Sequence, residues 1–348
     1  GPPEKPLTDV GGFLRIKWCK KLRLYFFLCI FAVAMKVITN FKEFEAQPSA
    51  VAIGFFDGVH KGHVTLLHQL TQQAKLRGLQ SVVITFAKHP REILGASYVP
   101  KLLTIKDERI DLIAKHGVDV CVVLDANKDL FELSSRYFMK HYLVEKLQTK
   151  YLLVGYDHHF GNDRENGYDY YKQLGEKCGV EVEKASLFQL NDLNVSSSLV
   201  RKALVDGQPK QAINYLGYPY FINGTVVSGQ KVGRTIGFPT ANVAINDVRK
   251  LLPKHGVYAV RCRLDNDDTI YNGMLYIGER PTFVTRAVAK SIEVHLFNFT
   301  GDIYHRKIRV EFLEYVRDEA RFDTPESLAR QLQIDSEELQ AWFKQQKF

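Results

Sequence analysis

The pattern of apolar segments changes near residue 205, and this change constrains the fold more than any other feature of the chain. Before it, short apolar runs alternate with segments of helical periodicity; after about residue 215, short β-type runs are separated by turn residues. Alternating strands and helices predict a parallel sheet, whereas closely spaced short strands predict an antiparallel barrel or sandwich. We therefore predict an α/β domain over residues 35–205 and an all-β domain over residues 218–348.

The runs behind this prediction differ between the two halves. We interpret the apolar runs 51–55, 81–86, 118–124 and 151–154 as buried strands, with helical segments at 64–77 and 106–116. The strand-like runs of the second half are 220–227, 257–264, 270–276, 291–297 and 308–312. A terminal helix is expected after Thr324, because Thr is a good N-cap and Pro325 suits the first helical position.

Residues 1–34 are interpreted as an N-terminal extension that is not part of the fold. A 12-residue apolar run at 24–35 follows a basic flank and contains Ala32-Val33-Ala34, which is the pattern of a signal peptide. The run is shorter than the about 20 residues that a membrane span needs. Met35, followed by a strand-like segment, favours the extension. An export signal and a membrane-contacting segment are the alternatives.

Charge and cysteine content bear on partners and compartment. The formal net charge is +8; residues 1–34 carry six basic and two acidic side chains, which leaves +4 for the rest of the chain. This balance is mild for a nucleic-acid-binding protein and suits an anionic small substrate equally well. The five cysteines are scattered without a CxxC pair. That pattern disfavours a zinc or dithiol site and indicates a reducing, cytoplasmic compartment.

The strongest local signal is the segment 54–63, GFFDGVHKGH, which follows a predicted strand and opens a predicted helix. Its glycines allow a tight turn and a close approach of the backbone to a ligand. The helix N-terminus offers unpaired N–H groups and a partial positive charge, so it suits phosphate. His60 and His63 can both face that anion and donate hydrogen bonds to developing phosphoryl charge. A pair of surface histidines and two metal ligands are the alternatives.

This segment resembles the G-x-F-D-G-x-H-x-G-H signature of the adenylyltransferase module of bacterial FAD synthetases, a Rossmann-like HxGH nucleotidyltransferase domain. The segments 85–92, 154–161 and 195–201 are similar to later motifs of that family, in the family's order. The resemblance implies that His60 and His63 are catalytic and stabilise the ATP phosphates. It implies further ATP contacts at Gly54, Phe55, Asp57, Gly58, Ser197, Ser198 and Arg201, and a flavin contact at Asp157.

The second signal is the segment 224–242, in which three glycines mark a loop that exposes its backbone. Pro239 stiffens the chain before Thr240 and Asn242, whose side chains face the same side of an extended segment. A hydroxyl and an amide carbonyl are hard oxygen ligands, which suit Mg²⁺ that is already held by nucleotide phosphates. A bulged hairpin with capping polar residues is the alternative.

The whole segment resembles the G-x-x-x-G-R-x-L-G-F-P-T-A-N motif of riboflavin kinases, and 277–283, 292–299 and 310–322 are similar to later motifs of that family. The resemblance implies that Glu293 is the general base for the riboflavin 5′-hydroxyl as that oxygen attacks the ATP γ-phosphate. It implies flavin contacts at Arg280 and Arg317. The implied ATP contacts are Gly229, Lys231, Gly233, Gly237, Pro239, Thr240 and Asn242, of which Thr240 and Asn242 also hold Mg²⁺.

The chain departs from the two families at a few positions. His158 and His159 replace the usual Phe-Arg, so that a fixed positive charge becomes a titratable one. Tyr276 stands where Asn is usual, and Asn298 where Asp is usual. The first departure bears on the strength of adenylyl transfer, and the other two on the affinity for flavin or nucleotide.

Together the resemblances cover roughly 37–205 and 218–330, in the order of bifunctional bacterial riboflavin kinase/FAD synthetases. They imply an FMN adenylyltransferase domain followed by a riboflavin kinase barrel, both of which use ATP and Mg²⁺. The expected partners are riboflavin, FMN, FAD and ATP, without nucleic acid or a stable membrane association; homo-oligomer formation stays open. An enzyme with one degenerate module and a flavin-binding regulator without turnover are the alternatives.

Overall fold

A parallel sheet organises the first half of the chain, and its central strands are buried on both faces. The computed structural model describes residues 34–41, 44–155, 160–163, 167–229, 233, 237–281 and 288–346. The sheet has six strands, all in parallel pairs, in the order β1-β4-β3-β2-β5-β6. They are β1 (Lys36–Ile38), β2 (Ser49–Ile53), β3 (Gln80–Phe86), β4 (Val120–Leu124), β5 (Thr149–Val154) and β6 (Glu181–Lys184).

Helices connect these strands and cover the sheet. They are α1 (Lys61–Arg77), α2 (Pro90–Ile93), α3 (Lys106–Ala114), α4 (Lys128–Glu132), α5 (Ser135–Phe138) with the π-helical turns Met139–Lys146, and α6 (Gly167–Cys178). A small ribbon of β7 (Gln189–Leu190) and β8 (Leu193–Asn194) leads into α7 (Ser197–Val205) and α8 (Pro209–Leu216). The helix α1 packs on the sheet through buried leucines such as Leu67 and Leu70.

The second half is a closed antiparallel barrel, which resolves the choice between barrel and sandwich. Its strands follow one another in the order β10-β13-β12-β11-β14-β9, and β10 closes the barrel on β9. They are β9 (Phe221–Val227), β10 (Ala241–Ala244), β11 (Gly256–Leu264), β12 (Tyr271–Pro281), β13 (Val288–Leu296) and β14 (Lys307–Arg317). The terminal helix α9 (Pro325–Gln345) is capped by Thr324 and buries Leu339 and Phe343 against the barrel.

The predicted α/β and all-β halves with a terminal helix are thus confirmed, and the differences include strands that were not predicted, among them β6 and β10. The strand β6 was not predicted, because its sequence Glu-Val-Glu-Lys lacks an apolar run. Polar and charged residues are common on such an edge strand, where they discourage pairing with other chains. The described residues contain no helix that is long and apolar enough to span a membrane, and most of the apolar run at 24–35 lies outside them.

The two halves share one apolar core rather than meeting across a linker. Val200 and Leu204 of α7 belong to the same cluster of buried side chains as Tyr258 and Phe312 of the barrel. Leu103, from the loop before α3, joins this cluster. The loop and helices that support the first half therefore lie directly against the wall of the second.

Candidate active sites

The glycine-rich turn of residues 54–63 lies at the carboxyl end of β2. This strand pairs with β3 on one side and with β5 on the other, so the order of the strands changes direction at this point of the sheet. Open parallel sheets bind ligands in the crevice at such a switch point. The backbone there is strained, since φ is 56° at Phe56, 80° at Gly58 and 37° at Val59. A Cβ at Gly58 would lie 2.8 Å from Leu103 Cδ1, so this glycine is required by conformation and packing together.

His60 and His63 stand at the start of α1 with their rings stacked, 3.7 Å apart between centroids. His60 is the N-cap, and its Nδ1 accepts a hydrogen bond from the main-chain N–H of His63. Burial lowers the pKa of His60 to about 4, and burial with the neighbouring His60 lowers the pKa of His63 well below its usual value. Both rings are therefore neutral at pH 7, and the proton of His60 lies on Nε2, from which it can be donated to a phosphate.

The depressed pKa of His60 predicts a loss of stability in acid. His60 takes up a proton near pH 6.5 in the unfolded chain but near pH 4 in the folded one. Its contribution to the free energy of unfolding is therefore complete above pH 6.5 and declines as the pH falls toward 4. We expect the free energy of unfolding of the wild type to fall more steeply than that of His60→Asn, by up to about 1.4 kcal/mol per pH unit. Urea titrations between pH 4.5 and 7 measure the two slopes.

Asn is the matched replacement because it also caps helices, so the variant removes the titrating ring and keeps a cap. Equal slopes for the wild type and His60→Asn would contradict a buried, neutral His60.

The carboxylate of Asp57 organises the surroundings of the turn. It accepts hydrogen bonds from Leu103 N–H at 3.1 Å and from Thr104 N–H at 2.9 Å, and it is paired with Arg201. Asp57 is only 3% exposed. The main-chain carbonyl of Asp57 accepts a hydrogen bond from the Ser197 hydroxyl at the start of α7. Asp57 therefore holds Ser197 and Arg201, two of the predicted ATP contacts, in place.

These groups surround a cavity of about 380 Å³ at the carboxyl edge of the sheet. Of the predicted ATP contacts, the cavity is lined by Gly54, Phe55, Asp57, His60, His63, Ser197 and Arg201. Ser198 is exposed and does not line it, whereas Ser196, the N-cap of α7, does. Gly58 lies behind the cavity wall against Leu103, and Asp157 lies outside the described residues. The arrangement can hold a polyphosphate between two helix N-termini.

Two residues near this cavity were not predicted as site residues. His89 lines the cavity, caps α2 and packs edge-on against Phe55 at 4.7 Å between centroids. Arg109 is fully buried beneath the Phe55 ring, with its guanidinium 4.2 Å from the ring centroid. Burial lowers the pKa of Arg109 to about 10, so it remains a cation at pH 7. The motif at 85–92 contained a signal for His89, whereas a single arginine on a helix gave none for Arg109.

The second site forms where β10 pairs with β13. Asn242 of β10 is the register partner of Glu293 of β13. The Thr240 hydroxyl donates a hydrogen bond to Glu293 Oε2 at 3.2 Å, and the Ser291 hydroxyl donates one to Oε1 at 3.1 Å. The structure therefore brings together the three residues for which the resemblance implies a base and a cation site. A carboxylate beside two oxygen donors can accept a proton and attract a cation.

The glycine loop before β10 packs closely on these side chains. A Cβ at Gly229 would overlap the Asn242 amide, and one at Gly233 would overlap the carbonyl of Phe238. Gly237 has a φ of 85°, and the Pro239 carbonyl lies 2.8 Å from the His295 ring. A cavity of about 440 Å³ adjoins this loop, with Pro239 and Thr240 in its lining. Its other lining includes Val294, Leu296, Phe299 and Tyr304, which form a surface suited to an aromatic ring.

The structure does not place the predicted flavin contacts Arg317 and Arg280 or the predicted ATP contact Lys231 in the second site. Arg317 forms a bidentate ion pair with Asp335 of α9, with an Nη2–Oδ2 distance of 2.6 Å, and so ties the terminal helix to the barrel. Lys231 and the side chain of Arg280 lie outside the described part of the chain. Tyr276, one of the departures, hydrogen bonds to Glu319. The assignment of Arg317 and Arg280 to a flavin site stays a prediction.

Comparisons with known proteins match both halves of the chain. A family model for FAD synthetase matches residues 42–199, and one for riboflavin kinase matches residues 216–343. The chain is 37% identical to a bifunctional riboflavin kinase/FMN adenylyltransferase of Haemophilus influenzae, over 85% of this chain and 95% of that protein. It is 36% identical to the protein of the same name from Bacillus subtilis, over 86% of this chain and 94% of the relative.

A solved structure is similar over the same range. It is named as a macrolide-efflux protein from Streptococcus pneumoniae; the TM-score is 0.77 and the sequences are 30% identical, with 89% of this chain and 100% of that chain covered. The similarity extends through both the parallel sheet and the barrel.

Proposed function

This chain belongs to the family of bifunctional riboflavin kinase/FMN adenylyltransferases, and on that premise we propose which residues perform each reaction. The barrel transfers the γ-phosphate of ATP to riboflavin, and the α/β domain transfers the adenylyl group of ATP to the resulting FMN. The assignment of two sites rests on the observation that the two groups of residues lie in different halves of the chain. Glu293 with Thr240 and Asn242 lies in the barrel, and the stacked histidines lie at the sheet edge of the other half.

In the barrel, Glu293 acts as the general base. Its carboxylate accepts the proton of the riboflavin 5′-hydroxyl while that oxygen forms a bond to the γ-phosphorus of ATP; the bond to the β–γ bridging oxygen breaks, and ADP leaves. Thr240 and Ser291 each donate a hydrogen bond to one oxygen of this carboxylate, which fixes its orientation. The apolar wall of the adjoining cavity suits the flavin ring.

The residues of the barrel site also fit Mg²⁺. A hydroxyl at Thr240, an amide at Asn242 and the neighbouring carboxylate offer the oxygen donors that this ion prefers. We assign Thr240 and Asn242 to the ion that arrives with the nucleotide. When bound, Mg²⁺ neutralises charge on the phosphates. The described residues contain no group of three or more His, Cys, Asp and Glu side chains that could hold a metal.

In the α/β domain, a phosphate oxygen of FMN attacks the α-phosphorus of ATP, and the bond to pyrophosphate breaks. The nucleophile is already ionised at neutral pH, so the site needs to position and stabilise charge rather than remove a proton. The neutral rings of His60 and His63 suit the donation of hydrogen bonds to phosphate oxygens. Arg201 and Ser197, which both contact Asp57, line the same cavity as the histidines.

An enzyme with one silent module is the second candidate, because His158 and His159 depart from the family pattern. We place both reactions in the cytoplasm, where ATP is available.

The limits 35–205 and 218–348 for the two domains stay part of this proposal. The helix α7 ends at Val205, and the strand β9 begins at Phe221.

The two reactions release different products, which allows each to be tested by itself. With riboflavin, ATP and Mg²⁺ we expect ADP and FMN, and with FMN, ATP and Mg²⁺ we expect pyrophosphate and FAD. Coupled assays for ADP and for pyrophosphate measure the two rates, and chelation of Mg²⁺ by EDTA should stop both. ADP release without any pyrophosphate release would favour the enzyme with a silent adenylyltransferase module. Tight flavin binding without release of either product would contradict the proposed function.

A further inference from the structure

Lys250, in the loop between β10 and β11, is buried against the other half of the chain. Its Nζ donates hydrogen bonds to Glu108 Oε2 at 2.6 Å and to the Leu103 carbonyl at 2.7 Å. Lys250 and Glu108 are only 2% and 5% exposed as side chains. Asn223 of β9 donates a hydrogen bond to the other oxygen of Glu108 at 2.8 Å. A charged pair from the barrel half and the sheet half is thus fully withdrawn from water.

The segment that Lys250 holds is the segment that holds Asp57. Leu103, whose carbonyl accepts the hydrogen bond of Lys250, donates its N–H to the Asp57 carboxylate at 3.1 Å. The next residue, Thr104, donates its N–H to the same carboxylate, and its hydroxyl accepts a hydrogen bond from Gly58 N–H at 2.9 Å. Leu103 therefore links Lys250 of the barrel half to the turn that carries His60.

A second side chain of the barrel half reaches the same turn. Tyr218, which precedes β9, donates its hydroxyl to the Gly58 carbonyl at 2.5 Å. The carbonyl and the N–H of Gly58 are thus both fixed, one by Tyr218 and the other by Thr104. Gly58 has a φ of 80° in a strained turn, and such a conformation persists only where the surroundings hold it.

We infer that Lys250 and Tyr218 of the riboflavin kinase half are positioning residues for adenylyl transfer in the other half. The two side chains fix the main chain at Leu103 and Gly58, and this fixes the Asp57 carboxylate and the histidines at the start of α1. Adhesion alone would not require a buried ion pair, since apolar residues of similar volume bind two surfaces at least as well. The inference rests on the proposed function, because it assigns a role in the second of the two reactions.

The test uses the full chain, with both reactions measured in every sample. For Tyr218→Phe we expect kcat/KM for ATP in FMN adenylylation to fall about 3- to 10-fold, since the hydrogen bond to the Gly58 carbonyl is lost. For Lys250→Met we expect a fall of at least about tenfold, because Glu108 is left buried without its cation. Riboflavin phosphorylation should stay within about twofold of the wild type in both variants. A general loss of folded protein would instead lower the rates of both reactions together and leave KM unchanged.

Matched controls come from the same chain. Tyr258→Phe removes a hydroxyl that is also bonded to a main-chain carbonyl, that of Lys254, but inside the barrel half. Arg249→Met removes a half-exposed cation that reaches Glu92 across the same interface, where such pairs contribute little. Both controls should leave adenylylation within about twofold.

A double variant separates positioning from charge compensation. Lys250→Met with Glu108→Gln removes the buried unpaired charge, so it should recover thermal stability, while adenylylation stays low because the Leu103 carbonyl still lacks its donor. Full recovery of adenylylation in the double variant, or unchanged adenylylation in Tyr218→Phe, would overturn the inference. Pyrophosphate release by the wild type is the reference; its absence would instead contradict the proposed function.

Discussion

Glu293→Gln should abolish the formation of FMN from riboflavin and leave the conversion of supplied FMN to FAD intact. Gln has the shape of Glu, and its amide can accept a hydrogen bond from one of the two hydroxyls and donate one to the other, but it cannot accept a proton from the riboflavin 5′-hydroxyl. A positioned general base contributes about 10²- to 10⁴-fold to the rate, so kcat for ADP release should fall by that factor. Steady-state ADP release with riboflavin as substrate measures the loss.

The chain offers a matched control for this substitution. Glu314 lies on β14, which does not pair with β13, and its carboxylate forms an ion pair with Lys210. Glu314→Gln makes the same chemical change in the same barrel and should keep both rates close to the wild type. A Glu293→Gln variant that phosphorylates riboflavin at the wild-type rate would show that another group accepts the proton.

His63→Ala should have the opposite effect and stop the chain at FMN. The substitution removes a ring that stacks on His60 at the N-terminus of α1, where we place the phosphates of ATP. The loss of one donor to developing charge in such a site costs about 10²- to 10³-fold in kcat. We therefore expect pyrophosphate release with FMN as substrate to fall by that factor, while riboflavin phosphorylation continues and reports that the protein is folded.

His68 provides the control on the same helix. It is exposed and contacts His116, away from the cavity lining. His68→Ala should release pyrophosphate at close to the wild-type rate. If His63→Ala also does so, the histidine pair does not stabilise the reacting phosphates, and the assignment of the adenylyl-transfer site is wrong.

Both folds could be predicted from the sequence, and the residues that we propose for the centre of each site lie in short motifs. His60 and His63 share one turn and one helix start; Thr240 directly precedes β10, and Asn242 lies in it. Glu293 was placed by its motif, and the register of β10 with β13 brings it to Asn242. In each case local periodicity or a short motif contains the geometric information.

The contacts that support the sites could not be predicted, because they join distant parts of the chain; Asp57 was expected only as an ATP contact within its motif. Asp57 is bound by residues about 46 positions away, and Lys250 reaches a carboxylate 142 positions away. The burial of Arg109 depends on the loop and the strand end that surround it. No local pattern distinguishes Lys250 or Arg109 from ordinary charged side chains on a loop or a helix, so only the folded structure identifies them.

One incubation tests the central claim of two separate active sites in one chain. The wild type, His63→Ala and Glu293→Gln are each supplied with riboflavin, ATP and Mg²⁺, and the flavin products are separated by chromatography. The wild type should yield FAD, His63→Ala should yield FMN without FAD, and Glu293→Gln should yield neither. FAD from His63→Ala or FMN from Glu293→Gln at the wild-type rate would contradict the assignment of the two sites.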